Sequence, residues 1–104
     1  MEIPVACSLD GAAARTQLDE WQRLLVAAAE GVERVDETEL SIRLADDPAL
    51  LARTVRLAQR EKACCPFFNF ALTIEPDAVA LRIRVPDDAA QLLDAFERAA
   101  TDHV

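Results

Sequence analysis

The sequence predicts an α+β domain in which a single small sheet packs against helices, in the order β-α-β-α-β-β-α. Three observations predict it. Apolar residues recur at helical spacing in some segments and alternate singly in others. Proline and aspartate mark the changes, at Asp47-Pro48, Pro66, Glu75-Pro76-Asp77 and Pro86-Asp87. A chain of 104 residues suits one domain spanning 1–104, able to bury roughly two-thirds of its unfolded surface.

Each element has its own signal. Ile3, Val5, Cys7 and Leu9 alternate with Pro4, Ala6 and Ser8, a short strand that places Cys7 on its buried face. Asp10 is a cap for a helix to about Glu30, with Gly31 as its stop. Leu18, Trp21, Leu24, Leu25 and Ala28 form its apolar stripe, opposite Arg15, Asp19, Glu20 and Arg23. From Val32 to Ala45 the period becomes two, which reads as a half-exposed strand with Leu40, Ile42 and Leu44 inward. Asp47-Pro48 starts a second helix, with Leu51, Val55 and Ala58 as its inner row and Leu50, Thr54 and Leu57 on the flanks. Pro66 ends it, because the residue before proline disfavours helical angles. Phe68, Phe70, Leu72 and Ile74, then Val79, Leu81, Ile83 and Val85, give a hairpin around Glu75-Pro76-Asp77. Pro86-Asp87 opens a last helix with Leu92, Leu93 and Phe96 facing in, and Thr101 to Val104 is expected as a disordered tail.

Composition narrows the function. Hydrophobic residues make up 52% and charged residues 29%, which argues against disorder. A net charge of -8 without a basic tract argues against nucleic acid and anionic membranes as partners. No run approaches a membrane span and the N-terminus does not read as a signal peptide, so a cytoplasmic location with reduced thiols is expected. Three cysteines, an odd count, also argue against a disulfide framework. With Gly11 and Gly31 as the only glycines there is no phosphate loop, so no nucleotide cofactor is expected. His103, the single histidine, reads as a solvated tail residue, which disfavours a Cys-His catalytic pair.

The segment Glu61-Lys62-Ala63-Cys64-Cys65-Pro66-Phe67-Phe68-Asn69-Phe70 carries the chemistry. Vicinal thiolates are soft ligands for Cu(I) and zinc, and by the same logic for Hg(II) and As(III). Glu61 precedes them by three and four residues, on the same helical face, as a ligand or a proton carrier. Arg56, Arg60 and Lys62 favour thiolate, while Glu61 and the helix C-terminus oppose it. Cys7 is a third ligand if its strand lies beside the Pro66 turn; otherwise it is core. Phe67 falls on the opposite face from Phe68 and Phe70, where it would shield the thiols. Trp21 reads as core, and Asp46-Asp47 and Asp87-Asp88 as helix caps.

Glu61, Cys64, Cys65, Pro66, Phe67 and Phe70 match a Glu-x-x-Cys-Cys-Pro-Phe-x-x-Phe motif, and Cys7 and Trp21 match an early cysteine followed by a tryptophan-bearing helix. In these features the chain resembles a group of small bacterial proteins and domains, over about Ile3 to Phe96. Some of that group occur with, or fused to, heavy-metal-responsive regulators of the mercury-sensor type. The resemblance implies a role in handling thiophilic metals or metalloids, with such a regulator as a partner. No helix-turn-helix is recognisable, so regulation would be indirect.

Three functions follow as expectations. The first is binding of Hg, As, Cu(I) or Zn ions through Cys64, Cys65 and Cys7, in heavy-metal resistance or sensing. The second is a thiol and carboxylate enzyme, such as organomercurial cleavage with Glu61 as proton donor, or a redox protein. Redox chemistry within the vicinal pair is disfavoured by its strained eight-membered ring. The third is a structural or interaction module with buried cysteines. A homodimer is a further expectation, from small size and a free edge strand.

Overall fold

The computed structural model describes residues 11–101. Within them run α1 (Gly11–Ala28), β1 (Ala29–Asp36), β2 (Glu39–Leu44), α2 (Pro48–Cys64), β3 (Asn69–Glu75), β4 (Ala78–Arg84) and, after a 3-10 turn at Asp87–Ala89, α3 (Leu92–Thr101). The α+β class holds: four antiparallel strands in the order β1-β2-β4-β3 carry three helices. The expected strand over Ile3–Leu9, and with it Cys7, lies outside the described residues, as do residues 102–104 and His103. No helix among the described residues is long and apolar enough to cross a membrane.

Register explains where the core sits. Leu40, Ile42 and Leu44 of β2 pair with Ile83, Leu81 and Val79 of β4, and these in turn with Phe70, Leu72 and Ile74 of β3. Side chains alternate across a strand, so these rows share one face. On it lie Trp21, Leu24, Leu25 and Ala28 of α1 and Leu93, Phe96, Ala99 and Ala100 of α3, all buried. The other face is polar: Glu39 sits between Arg82 and Arg84, accepting from both guanidinium groups.

Several expectations need correction. The alternating run from Val32 to Ala45 is part of a hairpin, not one strand. Asp36 breaks it: its Oδ1 accepts from the Thr38 backbone N–H at 2.8 Å and from Thr38 Oγ1 at 3.0 Å, an Asx turn. Nor does Gly31 stop α1. It lies inside β1, no described glycine adopts a positive φ, and the helix gives way at Ala28, whose carbonyl accepts from Ala45 N–H. Leu18 falls outside the apolar stripe and is exposed. On α2 the buried row is Thr54, Leu57 and Glu61, with Leu51 and Ala58 half-buried and Val55 exposed. Ile74, near the end of edge strand β3, is 67% exposed. Thr101 belongs to α3, its hydroxyl donating to the Glu97 carbonyl.

Arg34 ties β1 to α3. Its guanidinium donates to Asp94 and Glu97 and to the carbonyls of Asp36, Glu37 and Ala90. Asp47 caps α2 as expected, its Oδ1 accepting from the backbone N–H of Ala49 and Leu50. Asp87 and Asp88 stand in the 3-10 turn without a side-chain cap bond.

Two outcomes follow. Asp47→Ala should lower stability by about 1 kcal/mol in urea unfolding, whereas Asp46→Ala should stay within about 0.5 kcal/mol of wild type. The Thr38 backbone N–H, then its hydroxyl, hold the Asp36 carboxyl below its ordinary range. A depressed folded-state pKa stabilises above the unfolded value and is lost as pH falls through the folded one. An NMR titration should therefore find Asp36 titrating below an unstructured aspartate, and the difference should shrink but persist in Thr38→Val, which removes the hydroxyl and keeps the backbone N–H.

Candidate functional site

The site is assembled by the last turn of α2. Its register is fixed at the start by Asp47 and Pro48, which brings Thr54, Leu57 and Glu61 inward in turn. Three and four residues beyond Glu61 come Cys64, the last helical residue, and Cys65, the C-cap. Pro66 supplies no N–H and disfavours helical angles before it, so Cys65 leaves the helix at φ -131° and ψ 83°. Its own N–H still donates to the Glu61 carbonyl at 2.7 Å, and its carbonyl accepts from Phe68 N–H at 3.2 Å.

The two sulfurs therefore differ. Cys65 is buried in the core, 3% exposed, while Cys64 is half-buried at the core margin. They also differ in chemistry. Cys64 carries a thiol, whereas Cys65 is disulfide-bonded. The expectation of mostly reduced thiols therefore does not extend to Cys65. The predicted third ligand, Cys7, is among the residues not described.

Glu61 is buried, and its side chain turns to α1. Oε1 accepts from Trp21 Nε1 at 2.9 Å and from Gln17 Nε2 at 3.0 Å. Both donors are neutral and themselves buried. Oε1 already accepts two N–H bonds, so a proton carried by Glu61 would sit on Oε2. What Glu61 does is hold the cysteine turn: its side chain is anchored on α1 and its carbonyl binds Cys65 N–H.

An aromatic group encloses this clasp. Trp21 stacks on Phe70 at 5.8 Å and meets Phe96 edge-on at 5.2 Å. Phe68 stacks on Phe70 at 5.5 Å and on Phe67 at 4.9 Å. Phe67 is therefore not on an opposite face. Residues 67 and 68 precede β3, where strand alternation does not apply, and Phe67 packs half-buried against the core. Of the cations expected to favour thiolate, Arg56, Arg60 and Lys62 are all exposed, and Arg60 donates to both oxygens of Glu20. Among the described residues no three of His, Cys, Asp and Glu form a group able to hold a metal ion.

Gln17 was not foreseen as part of the site. The signal was available: it lies four residues before Trp21, so a polar amide enters the row of Trp21, Leu24 and Ala28 and calls for a buried partner. No family model, curated protein or solved structure matches the chain.

Removing the Glu61 acceptor leaves two buried donors without a partner, so Glu61→Leu should cost about 2–5 kcal/mol in chemical denaturation. Replacing the amide as well, in Glu61→Leu/Gln17→Leu, should cost less than the sum of the two single variants. Strict additivity would show that the pair does not interact.

Proposed function

We propose that the chain binds a thiophilic ion, of the Hg(II), As(III), Cu(I) or Zn(II) class, through Cys64, Cys65 and Cys7. The observation that carries this reading is the pairing state of the vicinal cysteines. Cys65 stands in a disulfide while Cys64 remains a thiol. The sequence holds one cysteine besides the pair, Cys7, which lies outside the described residues. Once the disulfide is reduced by a cellular thiol, Cys64 and Cys65 supply two soft donors at one helix end, and Cys7 would complete a trigonal set. Each ligating thiol loses its proton to solvent as the ion binds. The motif resemblance to domains found with heavy-metal-responsive regulators supports the same reading, with resistance or sensing as the setting.

A second reading, thiol–disulfide exchange, is favoured by the same thiol beside the same disulfide. Cys64 would attack the sulfur bonded to Cys65, take over the bond and release Cys65 as thiolate. No outside oxidant enters that exchange.

Native mass spectrometry of the reduced protein with each ion tests binding. One ion per chain is expected with at least one of the four ions. That complex should be lost in Cys64→Ser/Cys65→Ser and weakened in Cys7→Ser. An unchanged stoichiometry in the double variant would overturn the proposal. Reduced protein that takes up no ion, together with oxidised protein whose disulfide interchanges between Cys64 and Cys65 in mass mapping, would establish the second reading instead.

A further inference from the structure

We infer that the outer seam between α1 and α2 is a binding site for a small multivalent oxyanion, of the phosphate-ester or polycarboxylate class. Arg23 of α1 and Arg53, Arg56 and Arg60 of α2 line a groove of about 350 Å³ there, with Thr16 and Glu20 at its wall. The three arginines of α2 stand at intervals of three and four residues, so they share one helical face. Like charges at that spacing are unfavourable on a helix without an anion between them.

What sets them apart is that three of them lack ion-pair partners around one groove; Arg43, Lys62 and Arg98 also make no ion pair among the described residues but do not line it. The chain has 19 acidic residues against 11 basic ones. Arg34, Arg82 and Arg84 each reach a carboxylate. In the groove only Arg60 does so, through Glu20 at 2.8 Å, while Arg23, Arg53 and Arg56 make no ion pair among the described residues. An acidic protein that keeps three unpaired guanidinium groups around one cavity presents a local field of opposite sign to its net charge. Guanidinium forks match carboxylate and phosphate oxygens two at a time. The groove volume falls at the low end of small-molecule sites, about 300–1,000 Å³, which suits a compact anion rather than a polymer.

The site is separate from the cysteines and stands whether or not they take an ion. Titration calorimetry of the intact chain with inorganic phosphate, pyrophosphate and citrate tests it. Saturable binding of pyrophosphate or citrate, tighter than that of phosphate and weakened by added salt, is expected. The ligand that binds best distinguishes a phosphoryl from a carboxylate ligand. Arg53→Ala/Arg56→Ala, both at exposed positions, should keep the circular dichroism spectrum and lower affinity about tenfold or more. Glu20→Gln, which removes the one carboxylate and releases Arg60, should raise it. No saturable binding of any of the three anions at millimolar concentration would overturn the proposal, as would affinities unchanged in both variants.

Discussion

The architecture around the cysteines depends on one buried carboxylate. A charged or polar side chain inside a core is tolerated only when hydrogen-bonded, and Glu61 meets that condition with Trp21 and Gln17 of a different helix. The same residue accepts the backbone N–H of Cys65. One amino acid thus joins α1, α2 and the turn that follows. If it were an apolar residue, α1 and α2 would still pack and Arg60 would still reach Glu20 at the surface, but the buried polar contact that fixes the rotation of α2, and with it the direction in which the helix delivers its last two side chains, would be lost.

The aromatic residues complete this arrangement. Trp21 presents an N–H to Glu61, stacks a ring face on Phe70 and meets Phe96 in a T-shaped contact, so one side chain satisfies the carboxylate and joins the helical layer to the edge strand. At the far end of the sheet Arg34 does a similar service by a different means. It gathers five acceptors from the β1–β2 turn and the start of α3, so that turn and helix are held by one guanidinium. The sheet lies between an uncharged aromatic fastening at one edge and a charged one at the other.

Much of this was legible in the sequence, for reasons that are local. Asp47-Pro48, Pro66 and the alternation of Phe70 to Val85 act through backbone sterics and strand period, so they survive any tertiary context. The β1–β2 hairpin was not legible as two strands because alternation continues through it; the break depends on Asp36 reaching Thr38, a bond two residues long that periodicity does not register. The inner row of α2 was misplaced by about one position because an acidic residue, Glu61, occupies a buried site that hydrophobicity assigns to solvent. Vicinal cysteines marked the site by themselves. That the carboxylate beside them serves α1 rests on Gln17 and Trp21, 44 and 40 residues away in the chain.

The difference in burial between Cys64 and Cys65 has a kinetic meaning. Adjacent in sequence, they stand at different depths, one at the core margin and one within it. Any reagent arriving from water meets the outer sulfur first and gains the inner one only when the helix end loosens. Encounter and completion are therefore distinct events with distinct rates, the second governed by how firmly the tryptophan and glutamine of α1 grip the carboxylate one turn below.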